Sequence, residues 1–516
     1  MDNTGGQRFC YSEAMIFALV AFGAVSGVEL LLWLPPLWRH RKLAAGALLV
    51  LLDLTTITLL VAHPRVWTAL IGIASAYRCL NLGRIMANRI QADYLYHASR
   101  QTSWWLIGSQ IAVAGLAWIV HGYELDLRVW WDVIAGIELI CAATLLASTL
   151  RHIRTTRPPK LTDGPPPGKL PALTVAIPAR NETAELEACL ESLIASTYPK
   201  LEIIVLDDCS QNKRTPEIIR GFAHAGVRFI AGEVPPEQWL AKNYAYKQLA
   251  EAANGELLLF CGVDVRFEPE SLEALVRTLL QKQKRMISVM PRNLPPESHR
   301  LDAWFMQPNR YAWELSLPRR LIRRPPVLST CWLITRKDLQ EAGGFEAVRR
   351  KGVPESYLAR TIAGEYDGYS FMRSDSGIGI DCRKEPIEQR ATAIRTRYLQ
   401  LHRRPELTAA TSLAEFTLLI GPLLLLIGGL AAHTWLLVAL AGLSLACNIT
   451  VYSLVCNLAY RRFLAKGLWL LPLAALYDIG LLNYSMWLYE FREVLWKGRN
   501  VCIPVMRVIP GLPKST

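Results

Sequence analysis

Residues 173–182 read Leu-Thr-Val-Ala-Ile-Pro-Ala-Arg-Asn-Glu, an apolar run that ends in a polar turn. The same arrangement returns in residues 201–210, Leu-Glu-Ile-Ile-Val-Leu-Asp-Asp-Cys-Ser, and in residues 255–264, Gly-Glu-Leu-Leu-Leu-Phe-Cys-Gly-Val-Asp. Short apolar runs bounded by turn residues are typical of strands buried on both faces of a parallel sheet. Because ligands of open α/β sheets bind beyond the carboxyl ends of the strands, the three polar turns predict a ligand site.

Around these runs the chain alternates short β-branched segments with helical patterns, such as Ala184–Ser196 and Glu237–Ala253. This alternation predicts an α/β domain with a mostly parallel, Rossmann-like sheet and helices on both faces. The predicted strands are 173–178, 203–207, 227–231, 257–263, 286–290 and 330–335.

Long apolar stretches flank this domain, and each approaches the ~20 residues that cross a bilayer. Five precede it (15–34, 43–62, 66–82, 104–120 and 129–149) and three follow it (413–432, 435–455 and 468–489). We therefore predict an α/β domain inserted between two groups of transmembrane helices. The predicted division is a membrane region of about five spans over 1–157, a proline-rich linker over 158–172, the α/β domain over 173–408, two or three spans over 409–490 and a basic tail over 491–516.

Lys and Arg concentrate in the loops 39–42, 84–100 and 151–160. Since basic loops stay on the cytoplasmic side, the domain is predicted to be cytoplasmic and the protein to be integral to a plasma membrane. Membrane topology also explains the net charge of +13 better than nucleic acid, which we do not expect as a partner. Three spans after the domain would place the basic tail outside, so the number of spans there stays open. Glu29, Asp53 and Arg78 lie within spans, either as a structural pair or as contacts of a site.

The eleven cysteines are scattered, without a Cys-x-x-Cys pair, which argues against a zinc module or a disulfide framework. The strand ends are more informative, because each of the three carries a carboxylate. Together they could hold a nucleotide and a divalent cation, since Mg²⁺ and Mn²⁺ prefer oxygen ligands and bridge carboxylates to phosphates. The alternative is that these side chains cap the following helices.

The three strings resemble the family-2 glycosyltransferases, which have the nucleotide-sugar-binding fold called GT-A and invert the anomeric centre. The resemblance covers roughly residues 173–404. Within the family, Trp239-Leu-Ala-Lys-Asn-Tyr-Ala245 and Trp496-Lys-Gly-Arg499 look most like bacterial membrane enzymes that glycosylate carotenoid- and hopanoid-type lipids.

The resemblance implies a UDP- or GDP-sugar donor and a Mg²⁺ or Mn²⁺ cofactor. It implies that Asp264 contacts the metal and the diphosphate, and that Lys242 neutralises phosphate charge. It also implies that the region after residue 387 can supply an arginine that contacts the donor diphosphate. The implied donor and cofactor residues are Pro178, Arg180, Glu182, Asp207, Asp208, Lys242, Asp264, Gln400, Arg403 and Arg404.

This chain departs from the family pattern at three positions. Gly262 replaces the first aspartate of Asp-x-Asp, and Ser356 replaces the second carboxylate of the acidic pair that supplies the catalytic base. Gln400-Leu-His-Arg-Arg404 lacks the tryptophan of the processive synthases. A hydroxyl acceptor needs a general base, for which we predict Glu355. The reserve candidates are Asp367, Asp375 and Asp381.

The segment 387–404 combines an apolar stripe with five arginines, as expected of a helix at a lipid surface. It favours a membrane-borne lipid acceptor, with a glycan as the other possibility. Three alternatives stay open: a processive polysaccharide synthase, a polyprenyl-phosphate glycosyltransferase that needs no base, and a catalytically inactive nucleotide-sugar sensor.

Overall fold

The structure is a computed structural model. It describes residues 20–33, 41–62, 66–87, 93–122, 127–159, 166–236, 238–293, 302–317, 325–364, 367–460 and 467–501. The predicted linker, the first apolar stretch and the basic tail lie partly outside these residues.

The described strands are β1 Leu173–Ala179, β2 Leu201–Asp207, β3 Val227–Ala231, β4 Leu257–Cys261, β5 Val265–Phe267, β6 Met286–Met290, β7 Arg292–Asn293, β8 Cys331–Thr335, β9 Tyr369–Arg373, β10 Ile380–Cys382, β11 Leu495–Trp496 and β12 Arg499–Asn500. A seven-stranded sheet forms the centre of the α/β region, and its strand order is β3-β2-β1-β4-β8-β6-β9. Only β8 runs antiparallel to its neighbours in this sheet, so the prediction of a mostly parallel sheet is confirmed. Beside it lies a three-stranded sheet of order β5-β10-β7.

The strand register brings the polar turns together. Val175 of β1 pairs with Ile203 of β2 and with Leu259 of β4, in both cases in parallel. Parallel neighbours end at the same edge of a sheet. The polar residues after β1, β2 and β4 therefore share one edge.

Apolar cores cover both faces of the sheet. One face carries an aromatic cluster in which Phe260 stacks on the fully buried Trp332, with ring centroids 4.4 Å apart. This core continues into the C-terminal helices through residues such as Tyr452 and Leu471. The α/β region is thereby packed against those helices. The helices of the α/β region are Ala184–Ile194, Arg214–Gly221, Ala241–Ala252, Ser271–Gln281, Asp302–Leu315, Arg336–Glu341, Pro354–Gly364 and Pro386–Gln400.

Four described helices are long and apolar enough to cross a membrane: Arg41–Val61, Val129–Thr155, Pro405–Ala431 and Trp435–Ala459. Only 17–33% of their apolar windows is buried within the protein, as expected for surfaces that face lipid. Three further predicted spans are helical in the structure, and their crossing of the membrane stays a prediction. They lie in Val66–Met86, Asp93–Gly122 and Gly467–Phe491.

The predicted intramembrane charges include a structural pair. Arg78 Nη2 lies 2.7 Å from Glu29 Oε2, and both side chains are fully buried. Gln110 and Ser103 complete the hydrogen bonds of this pair. Asp53 accepts a hydrogen bond from Cys79 Sγ at 3.0 Å. The buried ion pair therefore favours a structural role for Glu29 and Arg78 over a role as contacts of a site.

Candidate active site

A cavity of about 630 Å³ opens at the polar edge of the sheet. Its walls combine the strand ends with the helix Pro386–Gln400 and with residues beyond the last described helix. Of the predicted donor residues, four line it: Pro178, Glu182, Lys242 and Asp264. We call it the large cavity.

At one end of the large cavity, the turns after β1 and β2 hold each other in place. Arg180 Nη1 donates to the carbonyl oxygens of Asp208 (2.6 Å) and Cys209 (2.5 Å). Asp207 Oδ1 accepts from the backbone N–H of Ser210 at 3.2 Å, which makes it a turn-stabilising residue. The predicted nucleoside residues are thus gathered at one place, with Arg180 and Asp207 acting through the backbone.

A short C-terminal hairpin, Leu495–Asn500, covers this end of the cavity. Lys497 and Gly498, its two central turn residues, both have positive φ (46° and 77°), as in a tight type I′ hairpin turn. Lys497 forms an ion pair with Glu182. Arg499 Nη1 donates to both carboxylate oxygens of Asp208 at 2.8 Å.

Sequence reasoning did not place this hairpin at the site. The available signal was the pair of basic residues in Trp496-Lys-Gly-Arg499, which the acidic strand ends could attract. The pKa values of the two carboxylates that the hairpin contacts are shifted even with its basic residues beside them. Burial raises the pKa of Glu182 although Lys497 opposes the shift, and burial likewise raises the pKa of Asp208 against the pull of Arg499.

Asp264 also lines the large cavity and lies three residues after the end of β4. Its Oδ2 is 3.3 Å from Lys384 Nζ and 3.6 Å from Cys382 Sγ. Burial opposes ionisation of Asp264, but the Lys384 ammonium outweighs it and holds the carboxyl pKa below its usual value. Asp264 is therefore a carboxylate at neutral pH.

The side chains around Asp264 determine how a metal ion could be coordinated there. The described residues contain no group of three or more His, Cys, Asp or Glu side chains placed to hold a metal, and Gly262 offers no side-chain ligand. Mg²⁺ usually takes one or two carboxylates and completes its shell with substrate phosphates and water. Asp264 can serve as the one carboxylate ligand of such a metal ion. Lys384 would then lose its ion pair with Asp264.

Lys242 and Glu355 form an ion pair, with Nζ 3.4 Å from Oε2. Lys242 is the second residue of the helix Ala241–Ala252, and its ammonium lies 5.2 Å from the ring centroid of Tyr246. Burial lowers the pKa of Lys242, although the Glu355 carboxylate opposes the shift. The predicted phosphate ligand and the predicted base are thus in direct contact.

Glu355 is 1% exposed and lines a second, smaller cavity of about 60 Å³. Lys242 and Arg310 line both cavities, and Gln400 lines the smaller one. The reserve bases line neither cavity. Asp367 pairs with Lys284, Asp375 accepts from backbone N–H groups of its own turn, and Asp381 pairs with Arg292.

The structure does not bring Arg403 and Arg404 to the large cavity. Arg403 is buried beside Glu490 at 3.6 Å and its guanidinium carbon lies 5.8 Å from the Tyr489 ring centroid. Arg404 pairs with Glu406. The arginine that lines the large cavity from this region is Arg395, whose pKa burial lowers to about 10.

The chemistry of this edge agrees with the comparisons. Residues 174–342 match the family model described as glycosyl transferase family 2. The chain contains a family 2 glycosyltransferase domain. The sheet, mostly parallel with polar strand ends at one edge, is that of the GT-A fold, as the sequence predicted.

The 4,4'-diaponeurosporenoate glycosyltransferase of Staphylococcus haemolyticus is 34% identical over 122 residues, which are 23% of this chain and 32% of that relative. Glycosyltransferase AglE of Haloferax volcanii is 31% identical over 114 residues, 21% of this chain and 36% of the relative. The chain therefore spans about a third of the length of the curated relatives it matches.

Among solved structures, the chain is similar to the mannosyltransferase PcManGT from Pyrobaculum calidifontis in complex with GDP-Man and Mn²⁺. The sequence identity is 20% and the TM-score 0.39, over 62% of this chain and 99% of that one.

Proposed function

We propose that this protein is a membrane-embedded, inverting family-2 glycosyltransferase that moves a sugar from a nucleotide-sugar donor to a membrane-borne lipid acceptor. The donor is a UDP- or GDP-sugar, and transfer takes place at the cytoplasmic face of a bacterial plasma membrane. The observation that carries the proposal is that Glu182, Lys242 and Asp264, from three separate elements, line one cavity. The same chain has four helices long and apolar enough to cross a bilayer.

The nucleoside binds in the large cavity against Pro178 and Glu182, beside the turns that contain Arg180, Asp207 and Asp208. The diphosphate lies towards Lys242 and Asp264. Lys242 offsets the negative charge that grows on the leaving diphosphate, and a cation aimed at such a charge is worth several kcal/mol. A bound Mg²⁺ or Mn²⁺, held by Asp264, would supply further electrostatic stabilisation of the leaving group.

Glu355 serves as the general base. A buried carboxylate within hydrogen-bond reach of an acceptor hydroxyl takes its proton as the oxygen attacks the anomeric carbon. Attack from the side opposite the diphosphate inverts that carbon. The neighbouring Lys242 is the ion-pair partner of Glu355, with its Nζ 3.4 Å from Oε2.

Three observations support the lipid acceptor: four long apolar helices, the packing of the sheet core onto the C-terminal helices, and the match to a relative named for a carotenoid-type acceptor. A processive synthase is less well supported, because Gln400-Leu-His-Arg-Arg404 lacks the tryptophan and its arginines lie away from the large cavity. The polyprenyl-phosphate and sensor alternatives are weakened by a buried carboxylate placed beside Lys242.

The test is nucleoside diphosphate release by the purified full chain, with Mn²⁺ or Mg²⁺, across a panel of UDP- and GDP-sugars. Each donor is assayed with and without native lipid extract. We expect lipid-stimulated release from one donor and none after chelation of the metal. Tight donor binding without release under any condition would favour the sensor, and long glycan products would favour the synthase.

A further inference from the structure

The smaller cavity is lined by five helices and by two loop segments, 327–329 and 352–353. The helices are Ala241–Ala252, Asp302–Leu315, Pro354–Gly364, Pro386–Gln400 and Gly467–Phe491. Its volume of about 60 Å³ accommodates a few water-sized groups, such as hydroxyls, and is too small for a second nucleotide. Because Lys242 and Arg310 line both cavities, a group bound here adjoins whatever occupies the large one.

Five oxygen-bearing side chains that line this cavity are at least nine-tenths buried: Glu314, Glu355, Gln389, Thr392 and Asp478. Glu355 is 1% exposed, and Gln389 is 7% exposed. Gln389 Nε2 donates to the Lys384 carbonyl at 2.8 Å, which fixes the orientation of the amide. Gln389 Oε1 meets no hydrogen-bond donor among the described residues. A buried acceptor without a donor costs free energy, so a ligand that brings an O–H to Gln389 Oε1 gains affinity.

The charges around the smaller cavity balance. Three cations line it (Lys242, Arg310 and Arg397) and three carboxylates (Glu314, Glu355 and Asp478), so their formal sum is zero. Lys242 pairs with Glu355, and Arg397 pairs with Asp478. An anionic head group would therefore leave a surplus buried charge, which is costly. The lining favours a neutral head group.

The helix Gly467–Phe491 contributes residues to this cavity and also carries exposed apolar residues. Its Tyr477, Asp478 and Leu481 line the cavity. Leu473, Leu476 and Tyr484 of the same helix are exposed. A molecule with a polar head in the cavity can thus lay an apolar tail along the outer face of this helix.

We propose that the smaller cavity binds the head group of the acceptor, and that this head is neutral, carries at least two hydroxyl groups and continues into an apolar tail. The proposal deepens the proposed function and rests on it. One hydroxyl oxygen forms a bond to the anomeric carbon while the bond to the nucleoside diphosphate breaks. Its proton passes to Glu355, and the diphosphate leaves with the bonding electron pair. The second hydroxyl donates to Gln389 Oε1.

The test compares four probes that share a sixteen-carbon chain: hexadecylglycerol, hexadecanol, hexadecyl phosphate and hexadecanoate. Each is titrated into phosphatidylcholine nanodiscs that carry the full chain, and bound probe is detected by native mass spectrometry. We expect hexadecylglycerol to bind at least about tenfold more tightly than either anion. Equal or tighter binding of hexadecyl phosphate or hexadecanoate overturns the proposal.

The variant Gln389→Leu isolates the second hydroxyl. Hexadecylglycerol should lose about tenfold in affinity, whereas hexadecanol, which has one hydroxyl for Glu355, should be unaffected. Gln340→Leu is the matched control, since Gln340 is exposed and lines neither cavity. Equal losses for the two probes would mean altered packing and would contradict the role of Gln389.

Binding of UDP and GDP is measured in the same samples. If neither nucleotide binds, the assignment of a UDP- or GDP-sugar donor is wrong. The relative affinities of the lipid probes then still test the proposed acceptor head group. If a nucleotide binds but the anionic lipids bind best, the glycosyltransferase proposal stands and the neutral acceptor is wrong.

Discussion

The two cavities differ in how the chain builds them. Part of the polar wall of the large cavity comes from turns that follow strands of one sheet, with Glu182 after β1 and Asp264 after β4. The smaller cavity is assembled from five helices and two loop segments that are distant in sequence. The large cavity is lined by six cations and three carboxylates, whereas the formal charges that line the smaller one sum to zero. In the proposed function, the first surface takes the charged donor and the second takes the neutral acceptor.

Removal of Asp264 should have the largest effect. We expect Asp264→Ala to reduce turnover by at least about a thousandfold, because it removes the charge that holds the metal and positions the diphosphate. Lipid binding in the smaller cavity should be unchanged. The measurement is nucleoside diphosphate release, with Glu251→Ala, at an exposed helix position, as control. Full activity in Asp264→Ala would show that the metal assignment is wrong.

Glu355→Gln should lower kcat by about a hundredfold to a thousandfold and leave the donor KM nearly unchanged, since the carboxylate acts as base and lines only the smaller cavity. Steady-state kinetics of Glu355→Gln, once its donor binding has been verified, test both expected values. An unchanged rate would point to another base, or to an acceptor that is already an anion.

The C-terminal hairpin belongs to the donor side of the comparison. We expect Arg499→Ala to raise the donor KM by about tenfold and to leave the acceptor KM unchanged, because Asp208 loses its bidentate partner. Arg492→Ala, at an exposed position just before the hairpin, should have no effect. A lower donor KM in Arg499→Ala would mean that the hairpin competes with the donor.

The smallest expected effect concerns pH. Lys242 must be protonated to neutralise phosphate charge, and burial lowers its pKa, so activity should fall as pH rises through that lowered value. Arginine stays protonated at higher pH. In Lys242→Arg the alkaline limb of the kcat/KM profile should therefore move upwards. Identical alkaline limbs in the two proteins would assign that titration to another group.

The sheet could be predicted because each strand is a compact apolar run with its own boundaries. The predicted runs at 173–178, 203–207 and 227–231 became β1, β2 and β3 with shifts of at most two residues at either end. The antiparallel direction of β8 had no local signal, since strand direction depends on the path of the connecting segments. The placement of Glu182 and Asp264 followed from the shared edge of parallel strands.

Two features of the site could not be predicted, for different reasons. The contact of Arg499 with Asp208 joins residues 291 positions apart, and strands of two residues leave no periodic pattern. Arg403 was assigned to the donor by resemblance, but His402 and Arg403 adopt positive φ (56° and 58°), and Arg403 lies beside Glu490. The sequence motif identifies the residues of this turn, but it does not determine where the turn places their side chains.

The most direct test of the account is to measure the donor and acceptor KM values in Arg499→Ala and in Gln389→Leu. Two separate subsites predict opposite results: Arg499→Ala raises only the donor KM, and Gln389→Leu raises only the acceptor KM. If both variants raise the donor KM and leave the acceptor KM unchanged, the smaller cavity is not the acceptor site.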